Sequence, residues 1–184
     1  MKMLFVGDFT PGHCALSLVE GFRNLGVETR MLDTSSYMRK KMGSKEWFHH
    51  KFSQAPSRRW NTFFQSQISE ATSNWNPDVV FCINTIHIPQ EFLIRIPCRI
   101  RVHLSFDDVS NPSNLTSDYL EFEKFWDIIF TNKSFNVAEL QKRTQSHIEY
   151  FDNAYNEKIH FSKIPFKDRK WNVGFIGAHR PDRH

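Results

Sequence analysis

Apolar residues run without a break from Met3 to Val6 and stop at Gly7-Asp8, the pattern of a strand buried on both faces. From Pro11 the period changes. Ala15, Leu18, Val19, Phe22 and Leu25 fall at helical spacing, Gly26 is placed as the glycine that follows a helix, and Val27 to Leu32 reads as a second strand. Strand, helix and strand within thirty-three residues predict a right-handed βαβ unit. Thr34 to Pro56 is polar, basic and aromatic without a clear period, so it reads as a long loop with a short helix around Lys45 to Lys51.

The alternation then resumes. Ser57 is placed to cap a helix through Trp60, Phe63, Phe64 and Ile68 to about Asn74, and Asn76-Pro77-Asp78 ends it before the strand Val79 to Ile83. A helical turn over Gln90 to Ile94, a strand over Arg99 to Leu104 and a helix over Asp118 to Trp126 follow. Asp127 to Thr131 reads as a strand, Asn136 to Gln145 as a helix, Ile148 to Phe151 as a strand, and Val173 to Ile176 as the last strand. This order predicts an α/β fold, a Rossmann-like open and mostly parallel sheet with helices on both faces.

Composition narrows the classes. The chain has 184 residues, 40% hydrophobic and 24% charged, which suits a globular protein with one sizeable core. Its eighteen phenylalanines fall mostly inside apolar periodic runs and are read as core. The net charge of +4 comes from separate clusters, Arg39-Lys40-Lys41 with Lys45, Arg58-Arg59, and the tail from Lys163 to Arg183. With no long basic helix and no nucleic-acid module, no nucleic-acid partner is expected. The apolar N-terminal run is too short for a signal peptide and no stretch is long enough to span a membrane, so a cytoplasmic protein without a transmembrane segment is expected. Cys14, Cys82 and Cys98 lack the spacing of a metal or redox pair and are read as reduced thiols.

Ligands of open parallel sheets collect at the carboxyl ends of the strands. There Gly7 and Gly12 flank a turn leading into the first helix, but they form neither a dinucleotide fingerprint nor a phosphate loop, so no NAD or ATP is expected. The free N–H groups of that turn can meet a substrate oxygen, or the turn can serve packing alone. Gly7, Asp8 and Gly12 are accordingly candidate substrate contacts, as is Asn132 after a later strand. Asp107-Asp108 is the most suggestive pair: neighbouring side chains on an extended chain point apart, which favours one carboxylate toward a ligand and one capping the loop before Asn111-Pro112. Among nine histidines no metal-ligand spacing occurs, so no metal is expected. His13 is the candidate for proton transfer, with Asp108 as the other, and His103 is read as a core histidine.

Phe106-Asp107-Asp108, then Trp126 through Asn132, then Tyr150 through Asn156 with His160, then Trp171 through Gly177 with Arg183, resemble in order and spacing the N-terminal half of the CgeB-like, spore-maturation type glycosyltransferases. The resemblance covers most of residues 103 to 184, while residues 1 to 33 match only the general opening of a GT-B glycosyltransferase. It implies two Rossmann-like domains around a cleft, the first holding a hydroxyl acceptor, such as a glycan or glycoconjugate, and the second a nucleotide-sugar donor, without a metal or other cofactor. By position, Gly7 to His13 and Asp107-Asp108 would line the acceptor side, and Gly177 with Arg180 or Arg183 would approach the donor diphosphate. Residues 1–168 would form the acceptor-side domain and 169–184 the start of a donor-binding domain whose remainder is missing, so a chain ending at His184 is not expected to transfer sugar unaided. A competing expectation is a non-catalytic Rossmann-like module that binds a small anion or serves as a scaffold.

Overall fold

A computed structural model describes residues 1–35, 58–154, 156, 158 and 161–170. Among them, six strands form one all-parallel sheet in the order β2-β1-β3-β4-β5-β6: β1 (Lys2–Gly7), β2 (Glu28–Asp33), β3 (Val79–Ile83), β4 (Ile100–Ser105), β5 (Ile128–Thr131) and β6 (His147–Tyr150). The α-helices are α1 (Cys14–Asn24), α2 (Arg58–Thr72), α3 (Gln90–Ile94), α4 (Ser117–Phe122) and α5 (Ser134–Arg143). The α/β, Rossmann-like sheet expected from the alternating pattern is the one observed.

The strand order follows from handedness. A right-handed crossover from β1 to β2 lays α1 on one face, and the return past β1 to β3 lays α2 on the other. Later crossovers continue in the same direction, so α3, α4 and α5 share the face of α2. The two cores agree: Ala15 and Val19 of α1 cover Met3, Phe5, Val79, Phe81, Ile83, Val102 and Leu104. Phe64, Leu93, Tyr119 and Leu140 from the other helices cover Leu4, Val6, Val80, Cys82 and Ile129. Central β3 is buried at every position, whereas edge strand β6 is exposed at three of its four. Each large apolar side chain fully removed from water contributes about 1.5–3 kcal/mol, which is why the uninterrupted runs settle at the centre of the sheet.

Boundaries moved where hydrogen bonds outweigh periodicity. The helix anticipated over Asp118 to Trp126 ends at Phe122 and tightens into a 3-10 turn over Glu123–Phe125, with Thr116 rather than an acidic residue as its cap, accepting from Tyr119 N at 3.1 Å. α2 stops at Thr72, and Asn74 turns the chain at φ 52°. Gly26, at φ 76°, follows α1 as expected. Asp78 and Asp127 fasten the amino edge of the sheet, accepting from Lys2 N at 2.8 Å and Arg101 N at 2.7 Å. The anticipated helix over Lys45 to Lys51, the cap at Ser57 and the strand over Val173 to Ile176 lie outside the described residues.

Contacts divide the chain into two units, Met1–Asn153 and Ala154–His184. The second contains a 3-10 turn, Phe166–Asp168, over whose Phe166 ring the Arg169 guanidinium sits at 5.4 Å.

One polar cluster is embedded in the first unit. His103 is fully buried, its Nδ1 3.1 Å from the Tyr119 hydroxyl and its ring 5.3 Å from that of Trp126. Burial lowers its pKa to about 3, so the imidazole is neutral in the fold. The unfolded chain takes up a proton near pH 6.5 and the folded chain does not; stability contributed by the neutral ring is therefore whole above pH 6.5 and is lost as pH falls toward 3. Urea unfolding at pH 7.5, 6 and 5 is expected to show stability falling with a limiting slope of about 1.4 kcal/mol per pH unit from this group, and His103→Asn is expected to flatten it. An identical slope in the variant contradicts the assignment.

Candidate functional site

Because every strand is parallel, all the strand-end loops gather on one edge, and the chain reverses its direction of winding between β1 and β3. The loop after β1 begins at Gly7, where an added Cβ would stand 3.2 Å from Ile83 Cβ and 3.3 Å from Ile83 O, so a side chain there would have to push β3 aside by a few tenths of an ångström. Asp8 accepts from Thr10 N at 2.8 Å and from the Thr10 hydroxyl. Asp33, at the end of β2, accepts from Phe9 N at 3.3 Å and from Ser35 N and Oγ at 3.0 and 2.7 Å. Gly12 turns the chain at φ 93°, a conformation side chains disfavour. His13 then opens α1 in extended conformation, with no side-chain cap on the helix and no acidic residue in its first turn. Its Nε2 lies 3.7 Å from Asp8 Oδ2, too long for a hydrogen bond but close enough for attraction between ions, with both side chains partly open to solvent.

The loop after β3 is braced from inside. Asn84 adopts φ 50° and donates its N–H to Leu104 O at 2.9 Å. Buried Gln90 donates through Nε2 to Thr85 O and Ile88 O at 2.8 and 2.7 Å, and Thr116 Oγ1 donates to Ile86 O at 2.9 Å. Sequence reasoning placed Gln90 only in a helical turn and gave Thr116 no part. Their bonds close across the fold, and no local motif announces them.

After β4 the two carboxylates divide their work. Asp108 Oδ1 accepts from Ser110 N at 2.9 Å and Ser110 Oγ at 2.7 Å, and these bonds hold its pKa below the ordinary value. Asp107 keeps its carboxylate unengaged among the described residues, while its carbonyl accepts from Asn136 Nδ2 at 2.8 Å. Asn136, fully buried on α5, also donates to Thr131 Oγ1 at 2.9 Å and accepts from Val109 N at 3.1 Å. Arg143 adds a bond to Val109 O at 3.2 Å while gripping Glu123 through two bonds of 2.6 and 2.7 Å. Asn114 Nδ2 donates to Asp108 O at 2.9 Å. Farther along the edge, Asn132 Nδ2 donates to Asn153 Oδ1 at 2.7 Å, and Asn132 Oδ1 is buried without a donor among the described residues.

The fold thus brings Gly7, Asp8, Gly12, His13, Asp107, Asp108 and Asn132 to one edge. Gly177, Arg180 and Arg183 lie outside the described residues. His103 belongs to the core. Among the described residues, no group of three or more His, Cys, Asp or Glu side chains is placed to hold a metal ion, and no helix is long and apolar enough to cross a membrane. Adjacent strands lie about 4.8 Å apart, so the ends of β1 and β4, separated by β3, stand about 10 Å apart.

No protein-family model matches the chain, and no curated protein matches it.

Two substitutions test how the edge is built. Asn136→Ala leaves Val109 N–H without its acceptor and is expected to cost about 1–3 kcal/mol in urea unfolding, with faster hydrogen exchange at Val109. Arg143→Met strands the buried Glu123 carboxylate and is expected to cost about 3–5 kcal/mol. Losses below about 0.5 kcal/mol in both would show that the loop after β4 is held by other means.

Proposed function

We propose that the chain is the acceptor-side domain of a cytoplasmic, GT-B-type glycosyltransferase that passes a sugar from a nucleotide-sugar to a hydroxyl acceptor. The observation that carries this reading is the placement of His13 beside Asp8 at the head of α1, on the same carboxyl edge of the sheet as the unengaged carboxylate of Asp107. In this reading the acceptor hydroxyl lies against His13, whose imidazole takes up the proton as the new glycosidic bond forms and the bond from the anomeric carbon to the donor's diphosphate breaks, releasing the nucleoside diphosphate. Asp8 stabilises the resulting imidazolium by charge, and Asp107 receives a hydrogen bond from a neighbouring hydroxyl of the acceptor. His13 is preferred to Asp108 as the base because the Ser110 bonds stabilise the ionised form of Asp108 and so weaken it as a proton acceptor. Gly177, Arg180 and Arg183 would open the donor domain that holds the diphosphate, and no nucleic acid, metal or cofactor takes part.

One observation favours a second reading, a module that binds a small anion: the amino end of α1 has no side-chain cap and no acidic residue in its first turn. The Asp8 carboxylate in the same loop opposes it, because an anion there would meet a like charge.

The readings part in one experiment. With the protein extended through its donor domain, transfer from a panel of labelled nucleotide-sugars to hydroxyl acceptors is expected, and His13→Ala should lower kcat by about a hundred- to ten-thousand-fold while Asp108→Asn has a far smaller effect. No transfer from any donor, together with saturable phosphate binding that His13→Ala abolishes, would replace the transferase by the anion module.

A further inference from the structure

A line of aromatic rings crosses one face of the sheet and ends at the carboxyl edge. Ring centroids are 5.4 Å apart for Phe5 and Phe81, 6.3 Å for Phe81 and Phe130, 6.3 Å for Phe130 and Phe151, and 6.2 Å for Phe151 and Phe106. Burial fades along it: Phe5 and Phe81 are buried under α1, whereas Phe130, Phe151 and Phe106 are half-buried. Phe106 and Phe151 each follow the last residue of a strand, β4 and β6, and pack half-buried against the rim of the core under α1. Their rings meet edge to face at 70°, and Phe151 meets Phe130 in the same way at 78°.

The polar surroundings of this pair are specific. Asp107 directly follows Phe106, on a loop whose backbone is fixed by Asn136, Asn114 and Arg143 while its carboxylate is left unengaged among the described residues. A carboxylate only accepts hydrogen bonds, and it can accept from two hydroxyls at once. The Asn132–Asn153 amide pair stands at the ends of the two neighbouring strands, with Asn132 Oδ1 lacking a donor among the described residues. Aromatic rings beside an unengaged carboxylate and an amide pair match a ligand that is apolar on its flat side and carries hydroxyls around its rim. A quaternary cation fits less well, since phenylalanine is a weaker cation partner than tryptophan, and Lys133 adds positive charge next to Asn132.

We infer that the acceptor is itself a pyranose ring, stacked by its C–H face on Phe106 and Phe151 with hydroxyls on the Asp107 carboxylate and the Asn132 amide. This rests on the reading of the edge as an acceptor site, and it adds the chemical class of the acceptor.

Binding can be tested on the full chain without a donor. Saturation-transfer NMR with methyl β-glucopyranoside, methyl β-galactopyranoside and methyl α-mannopyranoside is expected to show at least one bound, with saturation strongest at ring C–H protons. Phe106→Leu should weaken binding about two- to tenfold, Phe106→Tyr should restore it, and Asp107→Asn should weaken it about tenfold or more without loss of Tm. Absence of binding by all three glycosides, binding of tetramethylammonium instead, or equal affinity in Phe106→Leu and Asp107→Asn overturns the inference. The two failures are distinct. Transfer to a non-sugar alcohol with a KM indifferent to Phe106→Leu defeats the pyranose site and keeps the transferase; glycoside binding at Phe106 without transfer from any nucleotide-sugar defeats the transferase and leaves a sugar-binding domain.

Discussion

β1 is hydrogen-bonded on both sides, to β2 and to β3, and the rest of the molecule depends on that double pairing. The chain must leave β1 in one direction and later pass back over it, and right-handed crossovers then force α1 onto one face and the remaining helices onto the other. A crevice opens where the helices part. The closeness of the two strands at its floor is what favours glycine at position 7, since a methyl group there would press on Ile83. The same pairing buries β1 and β3 at the sheet centre and leaves β2 and β6 as edges.

A crevice of loops would be costly if its backbone groups were left unpaired away from water. Side chains supply the missing partners: Asp33 for the loop after β1, Gln90 and Thr116 for the loop after β3, Asn136 and Arg143 for the loop after β4. Several of these groups are themselves buried, so each bond is both required and strong relative to its exposed equivalent. Such bracing spends conformational freedom at folding rather than at binding, which suits loops that must hold the backbone of a residue such as Asp107 at a set place. The neutral, buried imidazole of His103 and its Tyr119 partner lie in the same core beneath those loops.

The strands were legible because they are apolar runs: Met3 to Val6 and Val79 to Ile83 have no competing solution once both faces must be buried. Gly26 was legible because left-handed conformation leaves few residue types. Helix ends were less so. The helix predicted from Asp118 to Trp126 gives way to a 3-10 turn at Glu123, whose ion pair with Arg143, twenty residues away, no window of local sequence contains. At the edge, the strand-end residues could be named from their positions alone, but which of two adjacent aspartates caps its own loop depended on Ser110 and on Asn136. Phe106 and Phe151 were read as core by composition. Their half-burial arises from where β4 and β6 end, a property of the sheet rather than of the residues.

The central claim is that ligands meet this chain at the carboxyl edge of the sheet, in the crevice beside β1 and along the ends of β4 to β6. The most direct test is a map of amide shift changes in the nitrogen-15-labelled full chain as methyl glycosides are added. The account predicts changes confined to Gly7–His13, Asn84–His87, Phe106–Val109, Asn132 and Phe151–Asn153. Changes clustered instead around Lys2, Asp78, Ile100 and Asp127, at the amino edge, or no saturable change anywhere, would contradict it.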